Sequence, residues 1–147
     1  MPRPGLPHAP LLLLCLGASF SAGGWSAEPA AGAPIQAGPE FSVVSSLDGQ
    51  RLPALAWGGC VFLAVWQQGW NGVGGNADIL AARLKPGTGL DSAKPLDAEP
   101  LKICVQGEHQ EAPQVAFAGG VFLVVWHDFR NGQDADLYAA RVTPEGK

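Results

Sequence analysis

Sixty residues after Arg51 the chain begins to repeat itself. Residues 51–72 read RLPALAWGGCVFLAVWQQGWNG, and residues 111–132 read EAPQVAFAGGVFLVVWHDFRNG. Pro53 matches Pro113, and Gly59 matches Gly119. Val61, Phe62 and Leu63 match Val121, Phe122 and Leu123, and Val65 and Trp66 match Val125 and Trp126. Matching then resumes two residues out of step. Ala77, Asp78 and Ile79 correspond to Ala135, Asp136 and Leu137, Arg83 to Arg141 and Pro86 to Pro144. An indel confined to a loop, with likeness restored on both sides, is the mark of duplication. Repetition at about this period is the signature of arrays and propellers, in which each unit buries its core against the next.

The unit reads as strands. Residues 53–57 and 113–117 open on a proline, which suits a strand's start because its missing N–H removes nothing from the ladder there. Gly58 and Gly59, and Gly119 and Gly120, provide turns. Residues 61–66 and 121–126 are nearly continuous apolar runs, the pattern of a central strand buried on both faces. Residues 78–84 and 136–142 make a third strand. Residues 101–105 make a fourth, with residues 41–44 as its counterpart one repeat earlier. The fold class expected is all-β: two tandem four-stranded antiparallel units, about 41–100 and 101–147, that look like blades of an incomplete propeller. Twenty Gly and thirteen Pro in 147 residues leave little room for long helices.

What precedes the repeats reads as an address and a tether. Arg3, the apolar run 11–16 and the small residues Ala18, Ser19, Ser21, Ala22, Gly23 and Gly24 have the order of a secretory signal over residues 1–27. The apolar run is too short to span a bilayer, which takes about 20 residues, so no stable transmembrane helix is expected. Cys15 follows Leu14, not the small residue that lipid attachment requires. Residues 28–40 form a Pro/Gly/Ala linker. Export permits a disulfide between Cys60 and Cys104, but their repeat counterparts are Gly120 and Val44, so the unit does not demand one.

Within the repeats, residues 126–132 (WHDFRNG) followed by 136–142 (DLYAARV) resemble the repeat of secreted bacterial β-propeller proteins, a W-x-D-x-R-N-G turn followed by D-I-Y-A-A-R-V. They are more loosely similar to the WD40-like repeats of the periplasmic TolB propeller. The resemblance covers residues 41–147. The first copy departs from it, with Gln68 in place of the acid, Trp70 in place of the Arg and Leu80 in place of the Tyr. The resemblance implies a repeat type and says little of activity, since propellers host many functions.

Net charge is -4, and the nine Lys and Arg are scattered, which argues against nucleic acid as a partner. Trp70, His127, Asp128 and Arg130 are the candidate binding residues, in or beside the turn that differs between copies. Asp128, Asn131, Asp134 and Asp136 offer the oxygen donors that Ca²⁺ takes, although the same spacing suits an Asx-rich turn that bonds its own backbone. Trp66 and Trp126 end apolar strands and read as core. Asp78 with Arg83, and Asp136 with Arg141, read as a repeated polar tie between neighbouring units. His127 with Asp128, and His109 with Glu111, are the only acid/base pairings in sight. No Ser or Cys nucleophile stands in a recognisable setting, and no catalytic residue is nominated.

The expected function is therefore that of an exported, non-enzymatic propeller-like protein acting in binding or scaffolding on a protein or carbohydrate. Two units leave apolar faces unmatched at both ends, which implies further repeats in cis or self-association, and an N-terminal fragment of a longer chain. The opening blades of a secreted hydrolase, with its catalytic residues beyond Lys147, are the alternative.

Overall fold

The computed structural model describes residues 37–69, 76–87 and 94–147. The signal-like segment and Trp70 lie outside the described residues. Within the compact unit Ile35–Lys147, the regular structure among the described residues is entirely strand: β1 (Gln50–Trp57), β2 (Phe62–Gln68), β3 (Asp78–Lys85), β4 (Lys94–Pro95), β5 (Leu101–Cys104), β6 (Gln110–Ala118), β7 (Val121–Asp128) and β8 (Asp136–Val142). These make two open antiparallel sheets. The first runs β1-β2-β3, with both β4 and β5 on the far edge of β3, and the second runs β6-β7-β8.

The apolar runs become the middle strands of their sheets. Trp66 pairs with Leu80 in the first sheet and Trp126 with Tyr138 in the second; Val65 pairs with Ala81, and Val125 with Ala139. The first strands carry the same irregularity. The register slips between Arg51 and Ala54, and again between Glu111 and Gln114. Inside each bulge one non-glycine residue is left-handed, Leu52 at φ 51° and Ala112 at φ 53°, each just before a proline. A bulge needs an unpaired position, and a proline, with no N–H to give, fills one at no loss to the ladder.

Because side chains alternate across a strand, each sheet has two distinct faces. Leu63, Val65, Ile79 and Ala81 lie on one face of the first sheet. They pack against Phe122, Val124, Trp126 and Val142 of the second, making the main core. Leu63, Val65, Ile79, Phe122 and Val124 are completely buried, a contribution of roughly 1.5–3 kcal/mol for each side chain. The two sheets come close at Gly58, where a Cβ would be driven into the edge of the Phe122 ring. One backbone bond also crosses between the sheets, Gln110 N donating to Ala77 O at 2.8 Å.

Residues 41–44 form no strand, in contrast to the expectation for the counterpart of 101–105. A strand exists by its ladder, and this segment pairs with no strand of either sheet. Val43 and Val44 instead lie on the opposite face of the first sheet, against Trp66, Leu80 and Ala82. The second sheet has three strands, one fewer than the sequence pattern implied: Leu101–Cys104, read as a strand of the second unit, pairs with β3 of the first sheet, and no described strand pairs with the outer edge of β8. Cys60 and Cys104 are both thiols, with no disulfide between them.

Candidate functional site

Among the described residues, the most connected polar cluster stands where β7 runs into the turn to β8. Side chains 122, 124, 126 and 128 share a face, so Asp128 points inward beside Trp126 and is completely buried. A buried carboxylate must be paired or bonded, and this one is both. The Trp126 indole donates Nε1–H to Oδ2 at 2.9 Å. Arg130 donates Nε to Oδ1 at 2.9 Å, Nη2 to Oδ2 at 2.6 Å and its backbone N to Oδ1 at 3.0 Å. Those bonds from Arg130 outweigh the cost of burial, and with the indole they hold the Asp128 carboxyl well below the usual carboxylate range. The pairing in turn holds Arg130 more firmly in its charged form.

Two further groups close the cluster. The Arg130 guanidinium lies over the Tyr138 ring, 3.9 Å from its centroid, the geometry of a cation–π contact. It also reaches Cys104 Sγ at 3.4 Å, while the thiol sits 3.7 Å from Asp128 Oδ2. Burial, above all, pushes the Cys104 thiol up. Since Cys104 belongs to β5 of the first sheet, the cluster bridges the two sheets.

Beyond Arg130 the turn ties its own backbone. Asn131 Oδ1 accepts from Gln133 N at 2.9 Å and Asp134 N at 3.1 Å, and Asn131 Nδ2 donates to Asp136 at 3.2 Å. This is an Asx turn. Asp128 is turned away into its pairing with Arg130, so Asp128, Asn131, Asp134 and Asp136 do not converge as Ca²⁺ ligands. Among the described residues, no three His, Cys, Asp or Glu come together to hold a metal.

The first copy keeps the indole bond and loses the charge. Trp66 Nε1 donates to Gln68 Oε1 at 3.0 Å, and Gln68 Nε2 donates to Ser46 Oγ at 3.2 Å. Trp66 and Trp126 are both buried.

The polar tie drawn from Asp78 with Arg83 and Asp136 with Arg141 takes a different form. Arg83 pairs with Asp97, whose carboxylate also accepts from Arg83 N at 2.8 Å, and Nη1 reaches Pro144 O at 3.2 Å. Burial works against the Asp97 carboxylate, but the Arg83 bonds prevail and lower its pKa. Asp78 is raised by burial, opposed by Lys102. Asp136 meets Asn131, and Arg141 is exposed. The tie is thus made once, by Arg83, with a loop carboxylate fourteen residues on.

Sequence reasoning paired His109 with Glu111 and missed that Glu111 also faces His127. His109 Nε2 lies 3.1 Å from one oxygen and His127 Nδ1 4.0 Å from the other. Glu111 and His127 are directly opposite across β6 and β7, so the offset of the two strands was the signal that could have found the pair. His127 and Asp128 face opposite ways and do not meet.

Compared with protein families, with curated proteins and with solved structures, the chain matches none.

Proposed function

We propose that the chain is an exported, non-enzymatic repeat protein of propeller type, in which each sheet is a blade and the turn after its middle strand is offered to a protein or carbohydrate partner. The signal-like order of residues 1–27 and the common register of β1-β2-β3 and β6-β7-β8 support it. So does the one acid of the WHDFRNG turn that would be best placed for chemistry: Asp128 is enclosed and engaged by Trp126 and Arg130. That engagement carries the reading. A carboxylate held ionised by a guanidinium and an indole is a brace, not a proton carrier. Its effect is to give the exposed residues 131–137 a stiff base, which lowers the ordering cost of binding.

The test is a labelled chain applied to glycan and peptide arrays beside the Arg130→Ala variant. Retention on one ligand class, weakened in the variant and without cleavage of the retained ligand, is the expected result. Absence of retention on both arrays, or release of reducing ends or peptide fragments, would overturn the reading.

A further inference from the structure

The two sheets meet through unlike faces, and each face has an unpartnered copy on the other sheet. Leu63 and Ile79 of the first sheet are completely buried against the second; their counterparts Leu123 and Leu137 are 45% and 73% exposed. In the opposite direction, Val115 and Phe117 of β6 pack into the main core, whereas their counterparts Leu55 and Trp57 on β1 are 57% and 45% exposed. The second sheet therefore presents outward the kind of face that the first sheet buries. The first presents outward the kind that the second buries.

Two further features have the same handed arrangement. Gln110 N reaches across to Ala77 O, while their counterparts Gln50 and Ala135 are both exposed. Cys104 packs with Trp126 as part of β5, a strand laid on the edge of β3 with Cys104 opposite Ile79. Val44, its counterpart, packs on Trp66 but belongs to no strand, while the edge of β8 beside Leu137 has no strand among the described residues. Whatever covers one end of this unit thus has the chemistry of the other end.

We propose that the chain associates head to tail with a second copy of itself, continuing the contact that its own two sheets make. The Leu123 and Leu137 face of one copy packs on the Leu55 and Trp57 face of the next, and the next copy's residues 41–44 add a strand to β8. The contact is heterologous, so it either closes into a ring or grows without end. Closed rings of this kind have about four to eight units, shared among the copies. Ala118 stands where Gly58 does, so at this point the contact between copies differs from the contact between the two sheets.

This rests on the propeller-type reading above, and the measurement separates the two. The full chain and its Leu55→Asp and Leu137→Asp variants are weighed by light scattering after gel filtration, with circular dichroism to check that each retains its strands. Both leucines are exposed, so neither change touches the core; Leu123→Asp replaces Leu137→Asp if the latter fails to fold. The wild-type chain is expected to have the mass of a closed ring and each variant that of a monomer. Mixed in equal amounts, the two variants should form a dimer, because each retains the face that the other lacks. A monomeric wild type, a variant that keeps the wild-type mass, or a mixture that remains monomeric would overturn the proposal. A monomer still retained on an array would leave the binding reading standing, and a ring retained on neither array would remove that reading alone.

Discussion

Replacing Gly58 with Ala tests a close approach of the two sheets. Gly58 follows β1 directly and is not among the glycines with positive φ, so an alanine backbone is tolerated there. The obstacle is the Phe122 ring, whose Cε1 and Cε2 would lie 3.1 Å from the new methyl, with Cζ nearer still. Phe122 is completely buried and its ring centroid lies 4.8 Å from that of Phe117, so it has little freedom to withdraw. Overpacking of this kind costs about 1–3 kcal/mol. The stiffer unfolded chain returns about 0.4–1 kcal/mol, which leaves a net loss of about 1–2 kcal/mol. Phe122→Leu alone opens a void and loses about 1–2 kcal/mol by the cavity effect. In the double variant the methyl introduced by Gly58→Ala fills part of that void, so the losses should fall short of additive by about 1–2 kcal/mol. Urea unfolding followed by circular dichroism gives all four free energies. If Gly58→Ala were as stable as the wild type, or the double variant additive within about 0.5 kcal/mol, the sheets would not meet at this point.

Asp128→Asn should cost about 1–2 kcal/mol at neutral pH, below the ~3–5 kcal/mol of a fully buried broken pair, because Arg130 is a third exposed and the amide still accepts the Trp126 bond. The pairing lowers the folded pKa of Asp128 below its unfolded value near 3.9. Its stabilisation is therefore complete above about pH 4 and declines as the pH falls through the folded pKa; acid titration of the melting temperature should show that decline flattened in the variant. Chelator should leave the melting temperature unchanged, since Asp128 is already engaged, and a fall of several degrees would restore a cation to the turn. Ala112→Gly should stabilise by up to about 1 kcal/mol by relieving a left-handed alanine, read by urea midpoint. In a thiol-titration time course on the native chain, Cys104 should react more slowly than Cys60, and unfolding in urea should abolish the difference.

How much of this was legible in the sequence depended on how far each partner lay along the chain. The middle strands were plain because Val61, Phe62, Leu63, Val65 and Trp66 form a short apolar run with glycines before it. The turn between β6 and β7 was equally plain: Gly119 and Gly120 both take positive φ, as a two-residue hairpin loop requires. Distant partners were not. Nothing near Arg83 announces Asp97, and nothing near residues 41–44 says whether a sheet edge will be present to make them a strand. Asp128 was legible in principle as the partner of Trp126. It has the same parity as Trp126, so both point into the core, and a buried indole N–H needs an acceptor. Those two facts together place the carboxylate on the indole.

The difference between the copies then identifies which part of the turn the fold constrains. Both retain a tryptophan whose indole donates to the oxygen two residues on, at 3.0 Å in the first and 2.9 Å in the second. What supports that oxygen differs. Gln68 is neutral, partly exposed and bonded to Ser46, whereas Asp128 is charged, enclosed and held by Arg130, itself stacked on Tyr138. An amide needs no counter-charge, so the first copy can do without the Arg and the Tyr together, and it has Trp70 and Leu80 in their places. A carboxylate at the same depth requires a cation, so in the second copy Asp128, Arg130 and Tyr138 form a set that changes as a whole. Asp128→Gln should accordingly be tolerated better with Arg130→Trp than alone, because the lone change leaves the guanidinium without its acid. If the two changes proved simply additive in urea, the set would not be a unit and the indole bond alone would define the turn.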